Sequence, residues 1–391
     1  MIKTRALAAC LALLVTLAPA ASLRAADPFV VDVILPVTGA GAFVATVEVN
    51  ALNVAESMIN KAGGVRGRQI KFNVQDDQSN PSVAVQLFNA LIVKKTPFVL
   101  GSSLSATCNA MSELTKDGPL EYCFSPGIRP VAGTYVYSTG VDAGSFLRVG
   151  ARYFRDRGLT KVAILTSTDA TGQDADKAID AAFSAPENRA LSIVAREHFN
   201  PTDINVAAQM ARFHASGANV IIGWATGAPF GTILRGVRDA GLDMPVLSTP
   251  ANALAVQLRQ YKTIMPKELI FPNLRSFLTP DQLPNGPAKT SLAHYYDLFK
   301  AAGLHPSGEG QVWDQILIMV SALQKLGFDA KPAQVRDYVN TLRGWTGVNG
   351  PYDFNKYPQR GIGDDALVVV RWDPDNEVGI PLTQAGGAPL R

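Results

Sequence analysis

The sequence predicts an α/β fold with two Rossmann-like lobes, each built on a parallel sheet, joined by a hinge that the chain crosses three times. Apolar runs of strand length alternate with segments of helical periodicity, which is the pattern of a parallel sheet covered by helices on both faces. This alternation restarts near residue 146, and the last third of the chain adds helices with few strands of their own. A chain of 391 residues also exceeds what one hydrophobic core usually carries.

The first lobe is predicted over residues 27–142 and 277–362. Four apolar runs of strand length read as its strands, and segments with a period of 3.6 residues separate them. Asn80 is a candidate helix cap, with Pro81 in the first helical position, where its missing N–H costs little. In order, the predicted elements are "FVVDVILPV", a helix over 47–64, "IKFNVQD", a helix over 81–95, "PFVLG", a helix over 106–117 and "LEYCFS".

The second lobe is predicted over residues 143–276 and 363–391. Its elements are a helix over 146–157, "KVAILTST", a helix over 173–184, "SIVAREHF", a helix over 203–215, "NVIIGW", a helix over 230–240 and "PVLST". Beyond residue 277 come helices over 287–303, 309–327 and 333–342, with strand-like runs at 352–354 and 366–372. These helices have no sheet of their own to cover. The chain is therefore predicted to return to the first lobe and then cross again to the second.

Residues 1–26 have the features of a secretory signal peptide. Lys3 and Arg5 precede an apolar stretch over 6–17, and small residues with Pro19 follow it. Cleavage after residue 20 and cleavage nearer residues 25–26 both fit. No later segment offers the uninterrupted apolar run of roughly 18 residues that a membrane span needs. The mature chain is therefore predicted to be exported to the periplasm.

Charge and cysteine content fit an exported protein. Removing the leader takes three basic residues and no acidic one, which leaves 33 of the 36 Lys and Arg residues against 33 Asp and Glu. A charge near zero without a basic block argues against nucleic acid as a partner. Cys108 and Cys123 remain, on a predicted helix and on the strand after it, and are expected to form a disulfide; two buried thiols are the alternative. No CxxC motif occurs and the four histidines are scattered, so no metal site is predicted.

The Gly-rich turn in "VDVILPVTGAGAFVATV" raises the question of a nucleotide site. Gly39 and Gly41 supply the G-x-G of a dinucleotide fingerprint, but Val44 stands where the third small residue belongs. A phosphate-binding G-x-x-x-x-G-K-[ST] motif is also absent. We therefore predict no cofactor. The turn is interpreted as one wall of a cleft at the carboxyl end of a sheet, where Thr38 and the helix amides favour an anionic group.

Seven short motifs occur in order along the chain. They are "PVTG" at 36–39, "AESMINKAGGVRGRQI" at 55–70, "DDQSNP" at 76–81, "GSSLSA" at 101–106, "SPG" at 125–127, "LRGVRDAGL" at 234–242 and "GPYDF" at 350–354. With them the chain resembles the type I periplasmic substrate-binding proteins of ABC importers, in the branch named for leucine, isoleucine and valine. The resemblance implies a monomer that captures a small molecule between two lobes and delivers it to an ABC permease.

The resemblance also implies a carboxylate subsite in the first lobe. Ser105 and the backbone at Gly127 match the positions that hold the ligand carboxylate, and Ser103 lies on the same loop. Arg129 stands where the family has a threonine. A guanidinium there would strengthen carboxylate binding, whereas an Arg129 turned to solvent would not contribute; both alternatives stay open.

In the second lobe the sequence departs from the amino-acid binders. Thr171 stands where the family often carries an aromatic residue, and the acid that pairs with the ligand ammonium is missing near Ala251 and Asn252. An unpaired ammonium in a closed cleft would cost several kcal/mol, so a ligand without an α-amino group is expected. Asp169 or Asp174 could replace the missing acid, which keeps the amino-acid alternative open. Phe43 and Trp224 are candidates for apolar contacts with the ligand, and Thr226 and Asn252 are candidates for polar contacts.

The expected function is capture of a small organic acid, with an aromatic carboxylate as one case. The main rival is an exported α/β hydrolase, but G-x-S-x-G is absent and no histidine ends a strand beside a nucleophile, so no enzyme is predicted. A branched-chain or other amino-acid binding protein is one alternative within the transporter class. A ligand sensor that partners a receptor on the same fold is the other.

Overall fold

A computed structural model describes residues 26–306 and 308–390. The predicted signal peptide, residues 1–26, therefore lies outside the described residues except for Ala26. In this part of the chain, no helix combines the length and the apolar character that crossing a membrane requires.

The first sheet has five strands, all parallel, in the order β2-β1-β3-β4-β5. Asn80 caps the second helix, as predicted, because its side chain accepts a hydrogen bond from the Ser82 amide. The three-residue strand β5 lies in a stretch that the sequence pattern leaves as a link. The elements are β1 (Phe29–Leu35), α1 (Ala42–Lys61), β2 (Ile70–Asp76), α2 (Pro81–Lys94), β3 (Phe98–Gly101), α3 (Ser105–Ser112), β4 (Leu120–Cys123) and β5 (Val136–Ser138).

The second sheet begins with five parallel strands, in the order β10-β9-β8-β6-β7. Except for the partly exposed edge strand β7, these strands are apolar and largely buried, as a sheet covered on both faces requires. The elements are α4 (Ala143–Asp156), β6 (Lys161–Ser167), α5 (Ala170–Phe183), β7 (Ser192–Phe199), α6 (Ala207–Ser216), β8 (Val220–Trp224), α7 (Ala228–Asp239), β9 (Val246–Leu247), α8 (Ala255–Arg259) and β10 (Leu269–Leu274).

The rest of the chain returns to the first lobe and then to the second, which confirms the predicted three-crossing fold. Helix α10 packs on α1 and helix α11 packs on β4, and the last two strands then extend the second sheet beside β10. Both of these strands are antiparallel to their neighbours, so this sheet is parallel only in its larger part. The elements are α9 (Pro287–Ala301), α10 (Gly310–Leu326), α11 (Pro332–Thr341), the antiparallel pair β11 (Arg343–Gly347) and β12 (Gly350–Asp353), β13 (Leu367–Asp373) and β14 (Val378–Pro381).

This arrangement brings together the loops that follow the strands. The loops after β1, β3 and β4 lie at the carboxyl edge of the first sheet, and those after β6, β8 and β9 lie at the carboxyl edge of the second. An ion pair between Arg129 and Asp174 joins a loop of one lobe to a helix of the other. The two carboxyl edges therefore face each other, and the predicted site residues lie on these loops or on the adjoining ends of helices and strands.

Candidate functional site

Hydroxyl and amide groups converge where α3 begins. Ser105 is the first residue of α3, and the preceding residue, Leu104, supplies no side-chain cap to the helix amides. The Ser105 Oγ lies 2.8 Å from the Ser125 Oγ, which also accepts a hydrogen bond of 3.2 Å from the Gly127 amide. An uncapped helix N-terminus beside two hydroxyls has the donors that a carboxylate needs.

Gly127 permits this close approach of the two loops. A Cβ atom at this position would lie 2.3 Å from the Ser105 Oγ, well inside van der Waals contact. The close approach of the loops is therefore the reason that glycine fits here, since a larger residue would displace the Ser105 hydroxyl. Its φ lies outside the left-handed range that favours glycine, so backbone conformation is not the reason.

The turn after β1 is occupied by the protein's own acceptors. The Thr38 amide and hydroxyl donate to the two carboxylate oxygens of Asp76, at 3.1 and 2.7 Å. The Gly41 amide donates to the Ser79 Oγ at 3.0 Å. The donors of this turn that were predicted to hold a ligand anion are thus engaged by Asp76, the last residue of β2, and by Ser79 in the loop after it. Phe43, at the start of α1, is 59% exposed.

Ser103 contacts a buried acid that the sequence analysis missed. Its hydroxyl donates to the carboxyl group of Glu48, which is 3% exposed on α1. Burial raises the pKa of Glu48 to about 8; the hydrogen bond from Ser103 opposes this shift, and the charge of Asp77 adds to it. Glu48 is therefore neutral at pH 7. A signal was present in the sequence, since position 48 falls on the buried stripe of α1 formed by Ala45, Leu52, Ala55 and Ile59.

Arg129 pairs with an acid from the opposite lobe. Its guanidinium contacts the carboxylate of Asp174, and the two side chains are 72% and 31% exposed. Asp169 also has partners within its own lobe, because it caps α5 by accepting from the Gly172 amide at 3.1 Å and from the Ser167 hydroxyl at 2.7 Å. Both acids that could replace the missing ammonium partner are therefore engaged.

The remaining second-lobe candidates differ in exposure. Thr226 is exposed and Thr171, in the first turn of α5, is half-buried. Trp224 ends β8 with 3% of its surface exposed. Asn252 is fully buried: its amide nitrogen donates to the Ala225 carbonyl at 2.7 Å, and its oxygen accepts from the Gly227 amide at 3.1 Å. In this structure Asn252 thus fixes the loop after β8, which carries Thr226.

The two cysteines lie beneath the loop after β3. The Sγ atoms of Cys108 and Cys123 are 2.05 Å apart, and the Cα atoms are 5.9 Å apart. The carboxyl group of Glu121 lies beside them, and burial raises its pKa well above the usual range. Sulfur atoms at bonding distance offer no thiolate pair to a metal ion.

Two cavities lie away from these loops. A groove of about 460 Å³ runs along the opposite, amino edge of the first sheet, lined in part by Lys95, Pro97, Pro119, Phe328 and Lys331. A small cavity of about 20 Å³ lies between α8, α9 and β14. Neither cavity contains a predicted ligand-binding residue.

Known proteins are similar to this chain over most of its length. A family model described as periplasmic binding protein matches residues 30–377. The leucine-, isoleucine-, valine-, threonine- and alanine-binding protein of Pseudomonas aeruginosa is 24% identical over 341 residues, which cover 83% of this chain and 86% of that protein. Leu/Ile/Val-binding protein homolog 3 of Brucella melitensis is 27% identical over 223 residues, which are 56% of this chain and 60% of that protein.

Solved structures share the fold at low identity. A solute-binding protein of an ABC transporter from Rhodopseudomonas palustris, in complex with benzoate, matches with a TM-score of 0.75 and 17% identity, over 93% of this chain and 98% of that one. The substrate-binding protein of a branched-chain amino acid transporter from Streptococcus pneumoniae, in complex with isoleucine, matches with a TM-score of 0.72 and 16% identity, over 91% and 100%. The chain therefore belongs to the periplasmic binding protein family, as a type I member of the Leu/Ile/Val-binding branch, a family of solute-binding proteins and not of enzymes.

Proposed function

We propose that this protein captures a small organic acid, with an aromatic or branched apolar body, between its lobes and delivers it to an ABC permease. One observation carries the proposal: donors for a carboxylate converge at Ser105, Ser125 and Gly127, while Asp169 and Asp174 opposite them already have partners. A carboxylate would find hydrogen bonds in the first lobe. An ammonium group would find no free acid among these residues in the second.

The free energy of desolvation favours the organic acid over the amino acid as ligand. Moving an ammonium group into a closed cleft without a paired charge costs several kcal/mol of binding free energy. This cost exceeds the free energy that the apolar contacts of one small side chain contribute. To pair with the ammonium group of leucine, Asp174 would have to leave or share its contact with Arg129, or Asp169 would have to give up its role as the cap of α5. An acid without the amino group requires neither change.

The body of the ligand is assigned to the apolar residues at the same loops. Phe43 is exposed at the start of α1, and Trp224 ends β8 beside the loop that carries Thr226. Aromatic side chains offer flat surfaces to planar or branched groups. The benzoate complex of the Rhodopseudomonas palustris protein supports this class of ligand. The names of the Pseudomonas and Brucella relatives favour the second candidate, a branched-chain amino acid.

The setting of this function follows from the leader and the fold. We infer that residues 1–26 are removed on export and that the mature protein works as a monomer in the periplasm. Its two lobes, which move relative to each other, are residues 27–142 with 277–362 and residues 143–276 with 363–391.

In this oxidising compartment Cys108 and Cys123 are bonded, so unfolded, unreduced mature protein should show no free thiol on titration. Two titratable thiols would contradict the bond.

Calorimetry with matched ligands tests the proposal. Purified mature protein is titrated with benzoate, 4-methylpentanoate, leucine, isoleucine and valine; 4-methylpentanoate is leucine without its amino group. We expect at least one acid to bind more tightly than leucine, isoleucine and valine, and to be recovered unchanged. Tight leucine binding without a response to either acid would overturn the organic-acid assignment in favour of the second candidate.

A further inference from the structure

Arg360 lies behind the loop that carries Gly127 and donates only to neutral acceptors. One terminal nitrogen donates to the carbonyl oxygens of Pro126, at 3.1 Å, and Ile128, at 2.5 Å. The other donates to the Ser138 hydroxyl at 2.9 Å and more weakly to two further carbonyl oxygens, those of Thr139 and Gly140. Among the residues that the structure describes, no carboxylate forms a salt bridge with this guanidinium.

These contacts fix the direction of the Gly127 amide. The Pro126 carbonyl and the Gly127 N–H belong to one trans peptide, in which the two bonds point in opposite directions. Because Arg360 binds the carbonyl, the N–H points away from it, and it donates to the Ser125 Oγ. The Ser125 Oγ in turn contacts the Ser105 Oγ, the group expected to hold the carboxylate.

The result is a chain of hydrogen bonds that begins at a cation. A guanidinium bound to a carbonyl oxygen polarises that peptide and makes its N–H a stronger donor, and a partly dry environment increases this effect. Ser138 adds a second connection, since it accepts from Arg360 and donates to the Ser125 carbonyl at 2.7 Å. The loop from Ser125 to Ile128 is thus oriented by the side chain of Arg360, which lies close to residue 362, where the chain crosses between the lobes for the third time.

The charge of Arg360 also lacks a local counter-charge. Burial lowers the pKa of Arg360, while Asp142 and Asp174 act on it only from a distance. Arg129, on the same loop, is neutralised by its contact with Asp174. Of the two arginines that hold or border the Gly127 loop, Arg360 is the one whose charge is not paired.

We propose that Arg360 is a positioning residue that gives the Ser105–Gly127 subsite its preference for a carboxylate over a neutral group. It acts through the Pro126–Gly127 peptide and the serine hydroxyls, and the bound anion supplies the counter-charge that the described residues do not. This inference rests on the proposed organic-acid function. It implies that the ligand carries one negative charge and no compensating cation.

Arg360→Gln tests the inference with pairs of ligands that differ only in charge. The probes are benzoate with benzamide and 4-methylpentanoate with 4-methylpentanamide, measured by calorimetry. We expect the Kd of the tighter acid to rise about 10- to 100-fold, the range of one charged hydrogen bond, while the Kd of its amide changes less than about threefold. Arg360→Lys keeps the charge without the planar fork and should restore part of the acid preference.

Arg275→Gln is the matched control. Arg275 lies next to residues 276–277, where the chain crosses between the lobes for the second time. It is half-buried and donates to the Asp365 carbonyl at 2.6 Å. The Arg275→Gln variant shows whether a change in the hinge alone affects ligand binding. It should leave the ratio of acid to amide affinity unchanged. Thermal melts of all variants report folding; if Arg360→Gln does not fold, the comparison is made with Arg360→Lys, which should then show a reduced acid-to-amide ratio.

The outcomes separate this inference from the proposed function. A wild-type protein that binds leucine and neither acid would refute the proposed function before any variant is made. Wild-type binding of an acid, combined with an unchanged acid-to-amide ratio in the folded Arg360 variants, would refute the role of Arg360 alone. Equal losses for acid and amide would assign Arg360 a purely structural role and would also overturn the inference.

Discussion

Arg129 and Asp174 form an ion pair that joins the loop after β4 in the first lobe to helix α5 in the second. This ion pair bears on two alternatives that the sequence leaves open, the role of Arg129 and the role of Asp174 as a partner of a ligand ammonium group. Arg129 is 72% exposed and paired with Asp174, and Asp174 is therefore not an unpaired acid that awaits an ammonium group. An apparent carboxylate binder and an apparent ammonium binder thus neutralise each other across the cleft.

We expect this pair to make a small contribution to stability and closure. Because both side chains are partly exposed, a double-mutant cycle of Arg129→Ala and Asp174→Ala should give a coupling free energy of about 0.2–1 kcal/mol, weaker at high salt. Chemical denaturation provides the measurement. If Arg129 binds the ligand carboxylate directly, Arg129→Ala will instead raise the Kd of the acid more than about 10-fold, and Asp174→Ala will not.

Much of the sheet structure could be predicted because strand-length runs alternate with helical segments along the sequence. Strand β7 has the predicted bounds, and β6 and β8 differ by one residue. Strand β10 was missed, since it contains Pro272, which lacks the N–H that a central strand normally uses. In the structure Pro272 faces Val369 of the antiparallel strand β13, a pairing between distant segments that local periodicity does not reveal.

The candidate site was predictable only where a short motif carries it. Ser105 and Gly127 lie in "GSSLSA" and "SPG", and the structure brings them together. Glu48 and Arg360 were missed because their partners are distant in sequence: Glu48 is 55 residues from Ser103, and Arg360 is 234 residues from Pro126. Such contacts depend on the crossing topology, which residue spacing alone does not define.

Ser105→Ala should weaken carboxylate binding. Loss of one hydrogen bond to a charged group costs about 1.5–3 kcal/mol, which corresponds to a roughly 10- to 100-fold rise in Kd. Ser192→Ala is the control, because Ser192 lies on β7 in the other lobe and donates only to the Thr160 carbonyl. Calorimetry with the tightest acid checks both variants. Unchanged affinity of Ser105→Ala would place the carboxylate elsewhere.

Trp224→Ala should affect stability more than the sequence analysis suggested. With the indole 3% exposed, the substitution leaves a cavity, and the free energy of unfolding should fall by about 3–5 kcal/mol. Trp372→Ala is a matched control, since this tryptophan of β13 is also 3% exposed. Both variants should be destabilised in urea, but Trp224→Ala alone should also weaken ligand binding, by about 1–3 kcal/mol. Equal binding in the two variants would assign Trp224 to the core only.

Glu48 should make both stability and ligand affinity depend on pH. Its pKa is about 8 in the folded chain and 4.5 for the free side chain, so between these values the folded chain holds a proton that the unfolded chain releases. The stabilising effect of this proton is complete below pH 4.5 and is lost as the pH rises through about 8. Above that pH, the carboxylate beside Ser103 also repels a bound acid, and the Kd should rise about 3- to 10-fold between pH 7 and pH 9.

Glu48→Gln should flatten both profiles, because the amide keeps the shape of the side chain and does not titrate. Glu121→Gln serves as the control: Glu121 is also fully buried with a raised pKa, but its carboxyl contacts Ser112 and lies beside the cysteines. That variant should change the pH dependence of the melting temperature without changing that of the Kd. Calorimetry and thermal melts from pH 6 to pH 9 give both readouts. If the Kd of Glu48→Gln rises with pH as steeply as that of the wild type, the group that titrates near the ligand is Asp77 or another acid.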